Sequence, residues 1–220
     1  MSLFSRKTRP VKRQEGALRD DRLFLVACDD TYAPKQYFDF FQIPRVNVVI
    51  VPTIDGSSSA QHVLNRLIAH KERIDSDEND ESWLLLDTDH YLTGSHRQGF
   101  QSAINEARQR GVNIAISKPC FELWLLLHHV SEMDVVTLSN ASETESRLRQ
   151  ELGQYNKKQL RARDFPVSAV RDAILRAEKL DTQAGSGNIP EVNSSQIYRL
   201  WKAIIANVPA SQLPQEFMGF

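Results

Sequence analysis

Apolar residues gather in four short runs over the first half of the chain, at positions 23–28, 46–51, 83–86 and 112–116. Runs of four to six residues rich in Val, Ile and Leu read as buried strands. Between them the spacing changes. Tyr37, Phe38, Phe40 and Phe41 follow the first run, and Val63, Leu64, Leu67 and Ile68 the second. Phe100, Ala103, Ile104 and Ala107 follow the third, and each set sits on one face of a helix. Pro52 stops the second strand, Asp55-Gly56-Ser57-Ser58-Ser59 opens the second helix, Gly94-Ser95 leads into the third, and Gly111 closes it. Strands alternating with helices predict an α/β fold built on a mainly parallel sheet flanked by helices.

Beyond the fourth strand the pattern turns helical. A very apolar helix is expected over 121–128, and the Ser142-x-x-Glu145 spacing suits the start of another that runs to about residue 154. Two further amphipathic helices are predicted over 168–180 and 194–208, separated by Gly185-Ser186-Gly187. The expected organisation is a basic N-terminal arm at 1–20, an α/β core at 21–130, and a helical C-terminal region at 131–220 packed on that core.

Composition narrows the class. With 220 residues and 41% hydrophobic content the chain can bury a full core. A net charge of −1 conceals local asymmetry: Arg6, Lys7, Arg9, Lys12 and Arg13 form a basic run, and Asp75, Asp77, Glu78, Asp80 and Glu81 an acidic one. Cys28 and Cys120 make neither a disulfide framework nor a zinc ribbon, which suits a reducing compartment, so a cytoplasmic location is expected. The stretch from Phe121 to His128 is too short to span a bilayer. No Walker A loop, Gly-x-Gly-x-x-Gly, Gly-x-Ser-x-Gly or His-Glu-x-x-His occurs, which removes the chemistries those motifs carry.

The candidate chemistry lies where apolar runs end in acids. Asp87 and Asp89 close the third strand, and residues two apart on an extended chain share a face about 6–7 Å apart, within reach of one hydrated cation. Asp29-Asp30 closes the first strand. If the two strands are parallel neighbours, their acids meet at the carboxyl ends, where open α/β sheets bind ligands. Hard oxygen donors suit Mg2+ or Mn2+ and phosphoryl chemistry; the structural alternative is that these Asp residues cap turns. Glu122 stands in the first turn of an otherwise apolar helix, either as a dipole partner or as a further member of the acidic site. Lys157, Lys158, Arg161 and Arg163 form a basic stretch that is either a solvated face or a binding surface for nucleic-acid phosphates.

The order of these features resembles the topoisomerase-primase (Toprim) domain. The segment Ser117-x-Pro119-Cys120-Phe121-Glu122-x-Trp124-Leu125-Leu126-Leu127-His128 is similar to the signature of the RloB-like family. Tyr37-Phe38, Tyr155-x-Lys157 and Asn193-x-x-x-Ile197-x-x-Leu200 extend the likeness over about residues 20–205. The resemblance implies a Toprim-like core with a Mg2+-dependent phosphodiester role on DNA or RNA, associated with restriction loci and abortive phage defence in bacteria. A restriction or defence-system protein is then a candidate partner. Carried over residue by residue, the family's first-strand Glu falls at Asp29 and its Asp-x-Asp at Asp87 and Asp89.

Two departures stand out. The family's Cys-Glu-Gly reads Cys28-Asp29-Asp30, which shortens the first acid by one methylene and removes a glycine that would relieve a positive φ. Lys118 replaces the Asn usually found before the proline and adds a possible phosphate contact. Three functions therefore stay open from the sequence. One is a metal-dependent nuclease with Asp87 and Asp89 on the metal, Asp29 as base or third ligand, and Glu122 assisting. Another is a catalytically weak subunit that binds nucleic acid or a partner. The last is a haloacid-dehalogenase-type phosphatase, whose motif would belong on the first strand.

Overall fold

The structure, a computed structural model, describes residues 21–53, 59–74, 76–89, 91, 96–183, 185 and 189–220. The basic arm at 1–20, Asp75, the loop at 55–58, the Gly94-Ser95 lead and the Ser186-Gly187 pair lie outside the described residues. Four strands run parallel: β1 (Arg22–Cys28), β2 (Val46–Ile50), β3 (Glu81–Asp87) and β4 (Asn113–Lys118). A short β5 (Ser194–Ser195) pairs antiparallel with β4, giving the order β2-β1-β3-β4-β5.

Alternating strand positions feed two cores, because successive side chains point to opposite faces of a sheet. Leu23, Leu25 and Ala27 of β1, with Leu84 and Leu86 of β3, pack against α2 (Ala60–Lys71) and α3 (His96–Gln109). Phe24, Val26 and Cys28, with Trp83 and Leu85, pack on the other face against α1 (Tyr32–Asp39), α4 (Phe121–Leu126), α6 (Val167–Gln183) and α7 (Ile197–Ala206). A strand buried on both faces has no polar position to offer, which is why the runs in the sequence are unbroken.

At the centre of the second core Tyr37, Trp124 and Trp201 are fully buried. The Tyr37 ring meets those of Phe38, Phe41, Phe121, Trp124, His128, Phe165 and Trp201 edge to face. His128 Nδ1 lies 2.9 Å from the Trp124 carbonyl and so donates to it, which leaves Nε2 to accept from the Tyr37 hydroxyl at 3.0 Å. Burial pushes the His128 pKa down to about 3, so the imidazole is neutral. Among the described residues no helix is long and apolar enough to cross a membrane.

Candidate active site at the carboxyl ends of the sheet

Strand order puts the acids together. From β1 the chain turns toward β2 on one side, whereas from β3 it continues to β4 on the other, so the direction of winding reverses between β1 and β3. At such a reversal neighbouring loops diverge and leave a crevice at the carboxyl ends of the strands. Asp29 follows β1 and Asp87 ends β3, on either side of that crevice.

Backbone donors hold the carboxylates in position. Asp29 Oδ2 accepts from the Asp87 N–H at 3.0 Å, and Oδ1 accepts from the Asp30 N–H at 3.0 Å. The turn after β3 is tied to the exit of β4: the Thr88 N–H donates to the Ser117 and Pro119 carbonyls, and the Asp89 N–H to Pro119, all at 3.1 Å. Glu122, in the first turn of α4, accepts from the Tyr155 hydroxyl at 2.8 Å. Exits of three adjacent strands thus carry acids to one edge of the sheet.

Burial raises the pKa of the Asp87 carboxyl well above the usual carboxylate range, and the negative charges of Asp29, Glu122 and Asp89 raise it further; the Phe121 backbone N–H opposes them. For Asp29 burial again leads, countered by its backbone hydrogen bonds and reinforced by Asp89, and the pKa rises to about 6. The charges that act most strongly on Asp87 are therefore all negative. An oxygen-only donor set of this kind fits a hard divalent cation. The neighbouring Cys28 and Cys120 thiols are raised by burial first and then by nearby carboxylates, so they stay protonated and offer no thiolate.

Among the described residues, no three His, Cys, Asp or Glu side chains stand as close as a metal shell requires. Asp89 is exposed on the rim, and both Asp29 oxygens face backbone N–H groups. Mutually repelling carboxylates spread in this way.

Asp30 is a turn residue. Its Oδ1 accepts from the Tyr32 N–H at 2.8 Å, and its Oδ2 lies 3.0 Å from the Lys157 ammonium. Arg45 is the one non-glycine residue with positive φ among the described residues, so the lost glycine brings no backbone strain at position 30.

The basic residues disperse. Lys157 is engaged by Asp30, which raises its pKa. Arg161 bonds Asp164 at 2.6 Å and the Leu152 carbonyl at 2.9 Å, as a half-buried strut. Lys118 donates to the Glu191 carbonyl. Arg163 is exposed, 3.9 Å from Asp164. Lys158 is exposed beside the acidic pocket, its ammonium 4.9 Å from the centre of the Tyr32 ring. Sequence reasoning gave no role to two residues that shape the site. Tyr155 orients Glu122, and Gln36 fastens the 157–160 segment to α1 through the Lys157 carbonyl at 2.7 Å and the Leu160 N–H at 2.9 Å. The Tyr-x-Lys pattern was the available signal for the first; a lone Gln gives none.

A mainly parallel sheet carrying acids at the exits of β1 and β3 makes this a Toprim-like α/β protein. The profile of the RloB-like protein family matches residues 24–204, and the chain belongs to that family. No curated protein and no solved structure matches it.

Proposed function

We propose that the protein is a divalent-metal-dependent nuclease that acts on DNA or RNA phosphodiesters, in the cytoplasm and in bacterial antiphage defence. The observation that supports the reading is that Asp29, Asp87, Asp89 and Glu122 stand at or after the carboxyl ends of β1, β3 and β4, and that the charges of the other three all act on Asp87. Asp87 and Asp89 would hold Mg2+ or Mn2+, with Asp29 as a third oxygen donor. When bound, such an ion offsets charge on a phosphate and acidifies water.

The chain's own residues have separate tasks. If Asp29 is not a ligand it serves instead as general base, since its pKa near 6 in the metal-free chain suits taking a proton from an attacking water close to neutrality. Tyr155 holds Glu122 by a hydrogen bond, and of the predicted basic residues Lys157, Lys158 and Arg163 are exposed to meet a polyanion, Lys157 being already paired with Asp30. A restriction or defence-system protein is the proposed partner. A second reading, a catalytically weak binding subunit, has one observation in its favour: both oxygens of the shortened acid at 29 are bonded to backbone.

Labelled single-stranded DNA, duplex DNA and structured RNA, incubated with Mg2+ or Mn2+ and wild type or Asp87→Ala, test the proposal. Cleavage by wild type that falls at least about a hundredfold in the variant supports it. Salt-sensitive binding without cleavage under either metal overturns it for the second reading.

A further inference from the structure

Beside the acidic pocket lies a groove of about 640 Å³, lined among others by Asp29, Tyr32, Lys35, Thr53 and Lys158. Its size falls within the range of ligand clefts. Large aromatic rings are normally buried for their area, yet Tyr32 is 53% exposed here, while Tyr37 on the same helix is fully buried. The Lys158 ammonium rests over that ring and has no carboxylate partner among the described residues. Lys35, by contrast, is paired with Asp39 at 2.5 Å. The Thr53 hydroxyl, bonded to the Thr31 hydroxyl at 3.4 Å, adds a polar wall.

An exposed ring beside a cation with no ion pair among the described residues, in a groove that Asp29 and the Lys157-paired Asp30 also line, matches one kind of occupant. Unpaired bases present π-faces to aromatic side chains and phosphates to ammonium groups; paired bases keep their faces stacked inside the duplex. We infer that this groove is the subsite for single-stranded nucleic acid flanking the phosphate presented to the acidic cluster. Tyr32 is the base platform and Lys158 the phosphate contact. The ring fixes the lysine through cation–π attraction, so the ammonium is poised before the strand arrives. This assignment rests on the nuclease reading for what happens next door, but strand binding can be measured apart from it.

Fluorescence anisotropy of a labelled twelve-nucleotide single strand, as DNA and as RNA, measured in EDTA, tests the subsite without cleavage. Tyr32→Ala is expected to weaken binding about tenfold and Tyr32→Phe less than about twofold, since the ring is retained. Lys158→Gln is expected to weaken binding and lower the slope of log affinity against log salt by about one. Arg171→Gln, exposed on α6, is the control and leaves affinity unchanged. A wild type that ignores single strands, or that prefers the duplex of the same sequence, overturns the inference. So does equal affinity in wild type, Tyr32→Ala and Lys158→Gln. If the affinity series behaves as expected but wild type cleaves nothing with Mg2+ or Mn2+, the nuclease reading fails and the groove stands.

Discussion

Two buried carboxyls joined through one backbone hydrogen bond, from the Asp87 N–H to Asp29, make a costly neighbourhood for each other. In the folded chain the Asp29 pKa is about 6 against 3.8 for the free acid, so the native state holds that proton more tightly. Stability from this group is fully present below pH 3.8 and is lost as pH rises to about 6, a displacement equivalent to roughly 3 kcal/mol. Asp87 is raised by burial first and then by its negative neighbours, so desolvation and charge repulsion together weaken the metal-free fold at neutral and alkaline pH. Asp87→Asn is predicted to stabilise the metal-free protein by about 1–3 kcal/mol at pH 8 and by little at pH 4. Urea denaturation at both pH values checks this, and a variant less stable than wild type at pH 8 contradicts it. The acids themselves were legible from the sequence because a polar residue after a buried strand stands out. The bond from the Asp87 N–H to the Asp29 carboxylate was not, since it depends on which strands are neighbours.

Elements of the first half follow their apolar periods closely, and the misreadings come where a polar side chain decides. The helix expected to be capped by Ser142 is capped two residues earlier, by Asn140, and runs as α5 (Ala141–Leu152): Asn140 accepts from the Glu143 N–H at 2.9 Å, and Glu143 in turn accepts from the Ser139 N–H at 2.8 Å. Gly153, at φ 70°, ends it in a left-handed cap. Likewise, the helix predicted over 194–208 opens with β5 instead, because the Ser195 hydroxyl bonds that of Ser117 at 2.9 Å and the Gln196 side chain accepts from the Ile116 N–H at 3.2 Å. No hydrophobic pattern marks either event. Between α1 and the turn that follows α4 the Tyr37–His128 bond makes a pH-dependent joint, with a folded His128 pKa of about 3 against 6.5 in the unfolded chain. This group binds its proton in the unfolded state, so its contribution is complete above pH 6.5 and declines as pH falls toward 3. His128→Gln is predicted to destabilise by about 2–4 kcal/mol at pH 7, through lost hydrogen bonds and packing. At pH 4 the deficit shrinks by about 3 kcal/mol, because only wild type must keep an imidazole neutral. Thermal or urea melts at the two pH values decide it, and a pH-independent deficit would count against the buried neutral histidine.

Over the whole molecule, the α/β half and the helical half share one interior. Phe24, Val26 and Cys28 of β1 belong to the same buried cluster as Leu148 of α5, Ile174 of α6 and Trp201 of α7. Phe165, from the segment between α5 and α6, stacks edge to face on Tyr37 of α1. The functional site has the same dependence: Glu122 is oriented by Tyr155, and Lys157 pairs with Asp30, so residues beyond 150 complete a pocket whose acids lie before 125. Cutting the chain after Val130 would strip this face of the sheet and expose Phe24, Tyr37, Phe121 and Trp124 together. Each aromatic ring left uncovered forfeits about 2–3 kcal/mol of burial, so the four together lose about 8–12 kcal/mol, as much as the whole stability of about 5–15 kcal/mol that domains of this size have. Residues 21–130 alone are therefore predicted to lack a cooperative fold. Near-ultraviolet circular dichroism of the fragment should show no fixed aromatic signal, and limited proteolysis should cut throughout. Adding residues 131–220 as a separate chain should restore both, if the two halves are parts of one core. A fragment that melts cooperatively by itself would mean that the sheet is sustained by α2 and α3, with the second helical layer serving the site more than the fold.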